Sequence, residues 1–113
     1  MNKPEQQVQN ILTSLGLDGF FQYNYKFKQY RIDFADPVNK IAVEVMGTYW
    51  HGHILLKNKD KKKQEKRTKN RIKRTALENS DWFCIFIWEH SLKNIPEKVK
   101  NYLEQNILGN IKI

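Results

Sequence analysis

Two carboxylates and a histidine in one neighbourhood of the chain could do chemistry together. Asp33 lies in Tyr30-Arg31-Ile32-Asp33-Phe34 and Glu44 in Ile41-Ala42-Val43-Glu44-Val45-Met46, strand-like runs, the second of which alternates with period two. Ile41, Val43 and Val45 share one face of that second run, which sets Glu44 on the other. Asp36-Pro37 with Asn39 supplies a turn between the runs, and the resulting hairpin brings Asp33 and Glu44 together. A carboxylate inside so apolar a strand is costly to desolvate without a partner, and a metal ion is a natural one. Past Gly47 the strand breaks into Thr48-Tyr49-Trp50-His51-Gly52-His53, where glycines permit a loop and two imidazoles bracket Gly52. Two acids and a histidine at a strand end point to metal-assisted hydrolysis. Structural carboxylates paired with some of the many lysines, beside an ordinary loop histidine, are the alternative, and composition alone favours it.

The elements that must position these groups can be taken in order. Pro4 to Leu15 reads as a helix, with Val8, Ile11, Leu12 and Leu15 on one stripe and Gly16 placed to stop it. Glu5 falls on that stripe, so its carboxylate could reach a buried site, although complementing the helix dipole is the simpler role. Leu17-Asp18-Gly19 connects to a strand within Phe20 to Phe27, with Tyr23 and Tyr25 on one face, and a three-strand meander continues through Asp33 and Glu44. A basic helix capped by Asp60 runs to Asn79, with Ile72, Ala76 and Leu77 packed at its C-terminal end. Trp82 to Trp88 is almost wholly apolar, which predicts a strand buried on both faces at the centre of a sheet. Asn94 caps a last helix, with Pro96 in its first turn, Val99, Tyr102, Leu103 and Ile107 inward, and Gly109 beyond its end. The order helix, three strands, helix, strand, helix predicts a single α/β domain over residues 1–113 with a mixed central sheet.

Charge narrows the partners. The chain has 20 basic and 12 acidic residues in 113, a formal net charge of +8, which favours a polyanion such as nucleic acid over an anionic membrane. Eleven of those 20 basic residues lie between Lys57 and Arg74, a density that points to phosphate contact rather than an idle solvated face. No run approaches the roughly 20 apolar residues of a membrane span, and no signal-peptide core opens the chain, so a soluble, cytoplasmic protein is expected. Cys84 is the one cysteine, which excludes an internal disulfide and a cysteine-rich zinc site; it is expected to pack as a small hydrophobe.

The element order, with Asp33 and then Glu44-Val45-Met46, resembles the PD-(D/E)xK (restriction-endonuclease-like) nuclease fold. More narrowly, Gly47-Thr48-Tyr49-Trp50-His51-Gly52-His53, then a basic helix, then Trp82 through Ile87-Trp88-Glu89, is similar to the very-short-patch-repair endonucleases and to the catalytic domain of phage homing endonucleases with an EDxHD signature. The resemblance implies that Asp33 binds metal, that Glu5 is the glutamate of the first helix, and that Val45 offers its backbone carbonyl to the metal. It further implies that His51 activates the attacking water and that Tyr49 and Trp50 lie near, or wedge into, the base stack.

Three departures from the pattern matter. Met46 stands where the general pattern has lysine and the repair enzymes have histidine, which moves water activation onto His51. Asn70 aligns with an aspartate of the signature. Thr48, His53, Leu55 and His90 occupy the repair enzymes' zinc positions, and only two of them are credible ligands, so no structural zinc is expected.

The implied reaction is hydrolysis of a DNA phosphodiester, with Asp33, His51 and Glu5 as the catalytic set. Mg²⁺, with Mn²⁺ as a substitute, would be held by Asp33, Val45 and Glu44; a pairing of Glu44 with Lys26 or Lys28 across the hairpin is the competing account of that residue. Lys61, Lys62, Lys63, Lys66, Arg67, Lys69 and Arg71 would hold double-stranded DNA by its backbone without reading sequence. So small a domain carries little base-reading apparatus, so the recognition domain of a homing endonuclease is expected outside this chain. A stand-alone mismatch-nicking repair enzyme and a non-catalytic nucleic-acid-binding module are the alternatives.

Overall fold

Asn2 and Glu5 cap the first helix reciprocally: the Asn2 side chain accepts from the Glu5 N–H at 2.9 Å, and the Glu5 carboxylate accepts from the Asn2 N–H at 3.0 Å. This helix, α1 (Lys3–Ser14), buries Val8 and Leu12, and it ends where Gly16 takes φ 72°, a left-handed conformation that glycine adopts at little cost. The structure, a computed structural model, describes residues 1–47 and 61–111, with side chains of the second stretch from Thr68 onward.

After a single 3₁₀ turn at Asp18–Phe20 come β1 (Gln22–Phe27), β2 (Tyr30–Asp36) and β3 (Ile41–Met46), then α2 (Lys61–Asn79), β4 (Phe83–Trp88), α3 (Glu89–Asn94) and α4 (Pro96–Leu108). Strands β1, β2 and β3 form an antiparallel meander, and β4 returns parallel to β3 after the α2 crossover. The expected mixed α/β sheet is therefore present. Asp36 makes the turn between β2 and β3: buried, it accepts from the Val38 and Asn39 N–H groups at 3.1 Å each and from Asn39 Nδ2 at 2.7 Å. Those bonds explain its burial without any functional role.

Two cores lie on opposite faces of the sheet. The larger joins Val8 and Leu12 of α1 to Phe34, Ile41, Val43, Ile85 and Ile87 of the sheet and to Leu92, Val99, Leu103 and Ile107 of α3 and α4. The smaller holds Ile32, Ala35, Ala42, Leu77 and Trp82, with Tyr25, Phe27 and Cys84 against it, and Leu77 is its anchor from α2.

Four expectations need correction. β4 is an edge strand among the described residues, in the order β1-β2-β3-β4. Its apolar run reflects cover on both faces, since Ile85 and Ile87 enter the larger core while the Arg74 guanidinium lies 4.8 Å from the Phe86 ring centroid on the other face. Tyr23 and Tyr25 do not share a face: Tyr23 packs on Phe34 and Tyr25 on Trp82, with left-handed Asn24 (φ 55°) between them. The last helix starts at Pro96 with Ile95 at its cap, because Asn94 already ends the short helix α3. Ile72 and Tyr102 are exposed, whereas Leu77, Val99, Leu103 and Ile107 are buried as expected.

Candidate functional site

The β2–β3 ladder ends at the pair Phe34–Val43. Beyond it the Asp33 side chain takes over from the backbone, its Oδ2 accepting from the Val45 N–H at 2.8 Å. A carboxylate that substitutes for a ladder carbonyl lets the two strands part without leaving the donor unpaired. Asp33 and Glu44 meet at that parting, close enough that the Asp33 charge acts on the Glu44 carboxyl. Glu44 lies on the same face as Ala42 and Met46, as strand alternation requires, and is only 4% exposed.

Burial dominates the electrostatics of the pair. The Glu44 carboxyl is pushed up to about 7, by desolvation first and by the Asp33 charge second, with Lys73 opposing both. The Asp33 carboxyl is also raised, again by burial first, although the Val45 N–H favours its charged form. Two carboxyls that resist ionisation together form a site with a high appetite for a proton or a cation.

The cation present is Lys73. Its Nζ lies 2.9 Å from Glu44 Oε1 as an ion pair and donates to the Arg31 carbonyl at 2.9 Å. Glu44 thus pairs with α2 rather than with Lys26 or Lys28 across the hairpin. Besides that ion pair, the buried Oε1 oxygen accepts no hydrogen bond from the described residues. Reading α2 only as a charge run hides Lys73 among its neighbours, yet a signal was there. Counting back from the buried Leu77 gives Arg74, Lys73 and Asn70 on one helical stripe, and these four residues line a shallow cleft with Glu44, Met46 and Phe86. Met46 and Asn70, two of the positions that depart from the pattern, therefore open onto the same cleft as Glu44.

Glu5 serves α1 first. Besides capping the helix, its Oε1 accepts from the Tyr23 hydroxyl at 2.9 Å, a bond that raises the Tyr23 phenol above its ordinary value. Its charge nonetheless reaches the site, since it contributes to the upward shift of Asp33. Tyr23 is a residue that sequence reasoning placed only on one face of the first strand. Lys69 and Arg71 are exposed on α2; Lys61, Lys62, Lys63, Lys66 and Arg67 lie on the same helix, and their side chains fall outside the described residues. Tyr49, Trp50 and His51, with Thr48, His53 and Leu55, also fall outside them. His90 stacks against Trp88 with ring centroids 6.1 Å apart.

Among the described residues no three histidine, cysteine or carboxylate side chains converge as a ready metal cage, so the site offers the Asp33–Glu44 pair. Among the same residues no helix is long and apolar enough to cross a membrane. The Cys84 thiol is half-buried and pushed up to about 11 by that burial, which makes it inert packing.

No family model and no curated protein matches the chain by sequence. Its fold is similar to a solved structure, the catalytic domain of the homing endonuclease I-Bth0305I. The TM-score is 0.74 at 21% identity, over 99% of this chain and 100% of that one. At that identity the likeness establishes the fold.

Proposed function

We propose that this chain is a metal-dependent DNA endonuclease domain that hydrolyses phosphodiester bonds, of the homing-endonuclease catalytic type. The observation that carries this reading is the Asp33 and Glu44 pair where β2 and β3 part, on a fold shared with a homing endonuclease catalytic domain. The residues fit a hard divalent cation, since both side chains offer carboxylate oxygens and the buried Glu44 Oε1 has no hydrogen bond besides the Lys73 ion pair. Asp33, Glu44 and the Val45 carbonyl would hold Mg²⁺, or Mn²⁺ in its place. When bound, such an ion supplies positive charge against the phosphate and makes water more acidic.

The chain's own groups divide the remaining work. His51 takes the proton from the attacking water as the water oxygen bonds to phosphorus and the bond to the leaving oxygen breaks. Met46 has no group that accepts a proton, which leaves this role to the histidine. Glu5, tied to Tyr23 and to its own helix cap, orients the site from α1. Lys69 and Arg71, with Lys61, Lys62, Lys63, Lys66 and Arg67 on the same helix, hold the DNA backbone, and Tyr49 and Trp50 lie against the bases. Target recognition belongs to a separate module, and the place of action is the cytoplasm of a bacterial or phage-infected cell. Stand-alone mismatch nicking is the near alternative; the full reading frame discriminates, since a long N-terminal extension supports the homing reading. A DNA-binding module without chemistry is the second reading, favoured by Met46 in the cleft.

Supercoiled plasmid tests the proposal. Conversion to open-circle or linear DNA in Mg²⁺, abolished by chelation, is the expected result. Retention of intact supercoils at protein concentrations that saturate DNA binding would leave the binding module.

A further inference from the structure

Met46 leaves β3 without a charged group at the mouth of the cleft, yet the cleft that Met46 lines does contain an ammonium. Lys73 reaches it from α2, with its Nζ 2.9 Å from Glu44 Oε1, and the side chains of both partners are largely buried, at 17% and 6% exposure. A second bond, to the Arg31 carbonyl at 2.9 Å, ties the same nitrogen to β2, so Lys73 joins the two strands that carry the carboxylates to the helix that covers them. Lys73 is turned inward, while Lys69 and Arg71 on the same helix are exposed. An exposed lysine loses rotamer freedom and gains little from an ion pair. Here burial and two partners offset that loss, which marks the geometry as built rather than incidental.

We propose that Lys73 is the positioning residue of this site, supplying from α2 the positive charge that position 46 lacks and holding Glu44 in its working orientation beside Asp33. This inference rests on the nuclease reading above. Two carboxylates with one ammonium carry a net charge of about −1, low enough for an anionic phosphate to approach once a divalent cation is present. Without Lys73 the two carboxylates alone face the incoming phosphate and repel it. The alternation of β3 makes the idea testable by relocation. Positions 44 and 46 lie on one face, roughly 7 Å apart along the strand, a span that a lysine side chain covers.

Three proteins decide the matter: Lys73→Met, Lys73→Arg, and Lys73→Met combined with Met46→Lys. Each is measured for melting temperature, DNA affinity, and cleavage rate at saturating and limiting DNA. In Lys73→Met we expect kcat to fall by about 10²-fold, the range for loss of one preorganised charge, with KM and DNA affinity nearly unchanged. Lys73→Arg, which keeps the charge, should retain more activity than Lys73→Met. In the relocated variant both the melting temperature and most of the cleavage rate should return. If cleavage by Lys73→Met stays within about threefold of wild type, the proposal is wrong. It is equally wrong if the relocated variant regains its melting temperature while cleavage stays lost, which would make Lys73 a structural ion pair. Failure to regain either would overturn the claim that Lys73 supplies a charge that position 46 lacks. Should Lys73→Met not fold, the relocated variant, with its ammonium restored from β3, decides between the same outcomes. If wild-type protein cleaves no DNA the nuclease reading fails, and recovery of melting temperature on relocation still decides whether the two charges are interchangeable.

Discussion

Replacing Glu44 by glutamine removes a charge while keeping the shape of the side chain, and the structure makes an unusual demand of the result. The carboxyl is raised from 4.5 to about 7 by burial and by Asp33, so the folded protein holds this proton more tightly than the unfolded chain does. Between those two values folding takes up a proton, and stability therefore falls as pH rises from about 4.5 to 7 and stays low above it. At about 1.4 kcal/mol per pH unit, the rise from 4.5 to about 7 is worth at most about 3 kcal/mol, part of it shared with Asp33. Glu44→Gln should abolish this fall. In urea unfolding with chelator present, wild type and variant should match near pH 4.5, and the variant should be more stable by up to about 3 kcal/mol at pH 8. Comparing the two proteins at each pH cancels the groups that titrate in both. A difference that does not change with pH would refute the reasoning. A variant less stable than wild type at pH 8 would also refute it, by showing that the Lys73 ion pair outweighs the cost of burial.

Two further predictions concern the segments that follow β3. Replacing Lys61, Lys62 and Lys63 by glutamine should weaken DNA binding about equally across sequences and flatten its log-log salt dependence by roughly 0.9 for each phosphate no longer neutralised; an unchanged slope would mean that these lysines are idle. His51→Ala should lower the cleavage rate by about 10² to 10⁴, far more than His53→Ala, and should remove the loss of activity at low pH; equal, small effects would place the proton acceptor elsewhere.

The hairpin and its carboxylates were readable because strand alternation is a hard geometric constraint. Once Ile41, Val43 and Val45 face the larger core, Glu44 must face the other way, and the Asp36 turn fixes which residues can lie opposite. Long-range placement was harder to read. Apolar residues on both faces of β4 report cover on both faces, which an edge strand under two helix layers has as much as a central one, so the pattern does not separate the two places. The Asn94 cap failed because a short helix had already claimed that residue, and local signals do not say which helix a cap serves. Lys73 was hidden for a different reason. One inward lysine in a run of basic residues has no composition of its own, and only the helical offset from a buried Leu77 separates it from its solvated neighbours. Asn24 turned β1 over by adopting φ 55°, a backbone choice that asparagine tolerates but does not announce.

The central claim is that Asp33 and Glu44 hold a catalytic cation for DNA hydrolysis. It is tested most directly by comparing wild type and Asp33→Ala on supercoiled plasmid in Mg²⁺, at matched DNA affinity and with the fold checked by circular dichroism. The wild type should cleave the DNA in a metal-dependent manner and the variant should not, although both bind it. Cleavage by Asp33→Ala at the wild-type rate would contradict the claim.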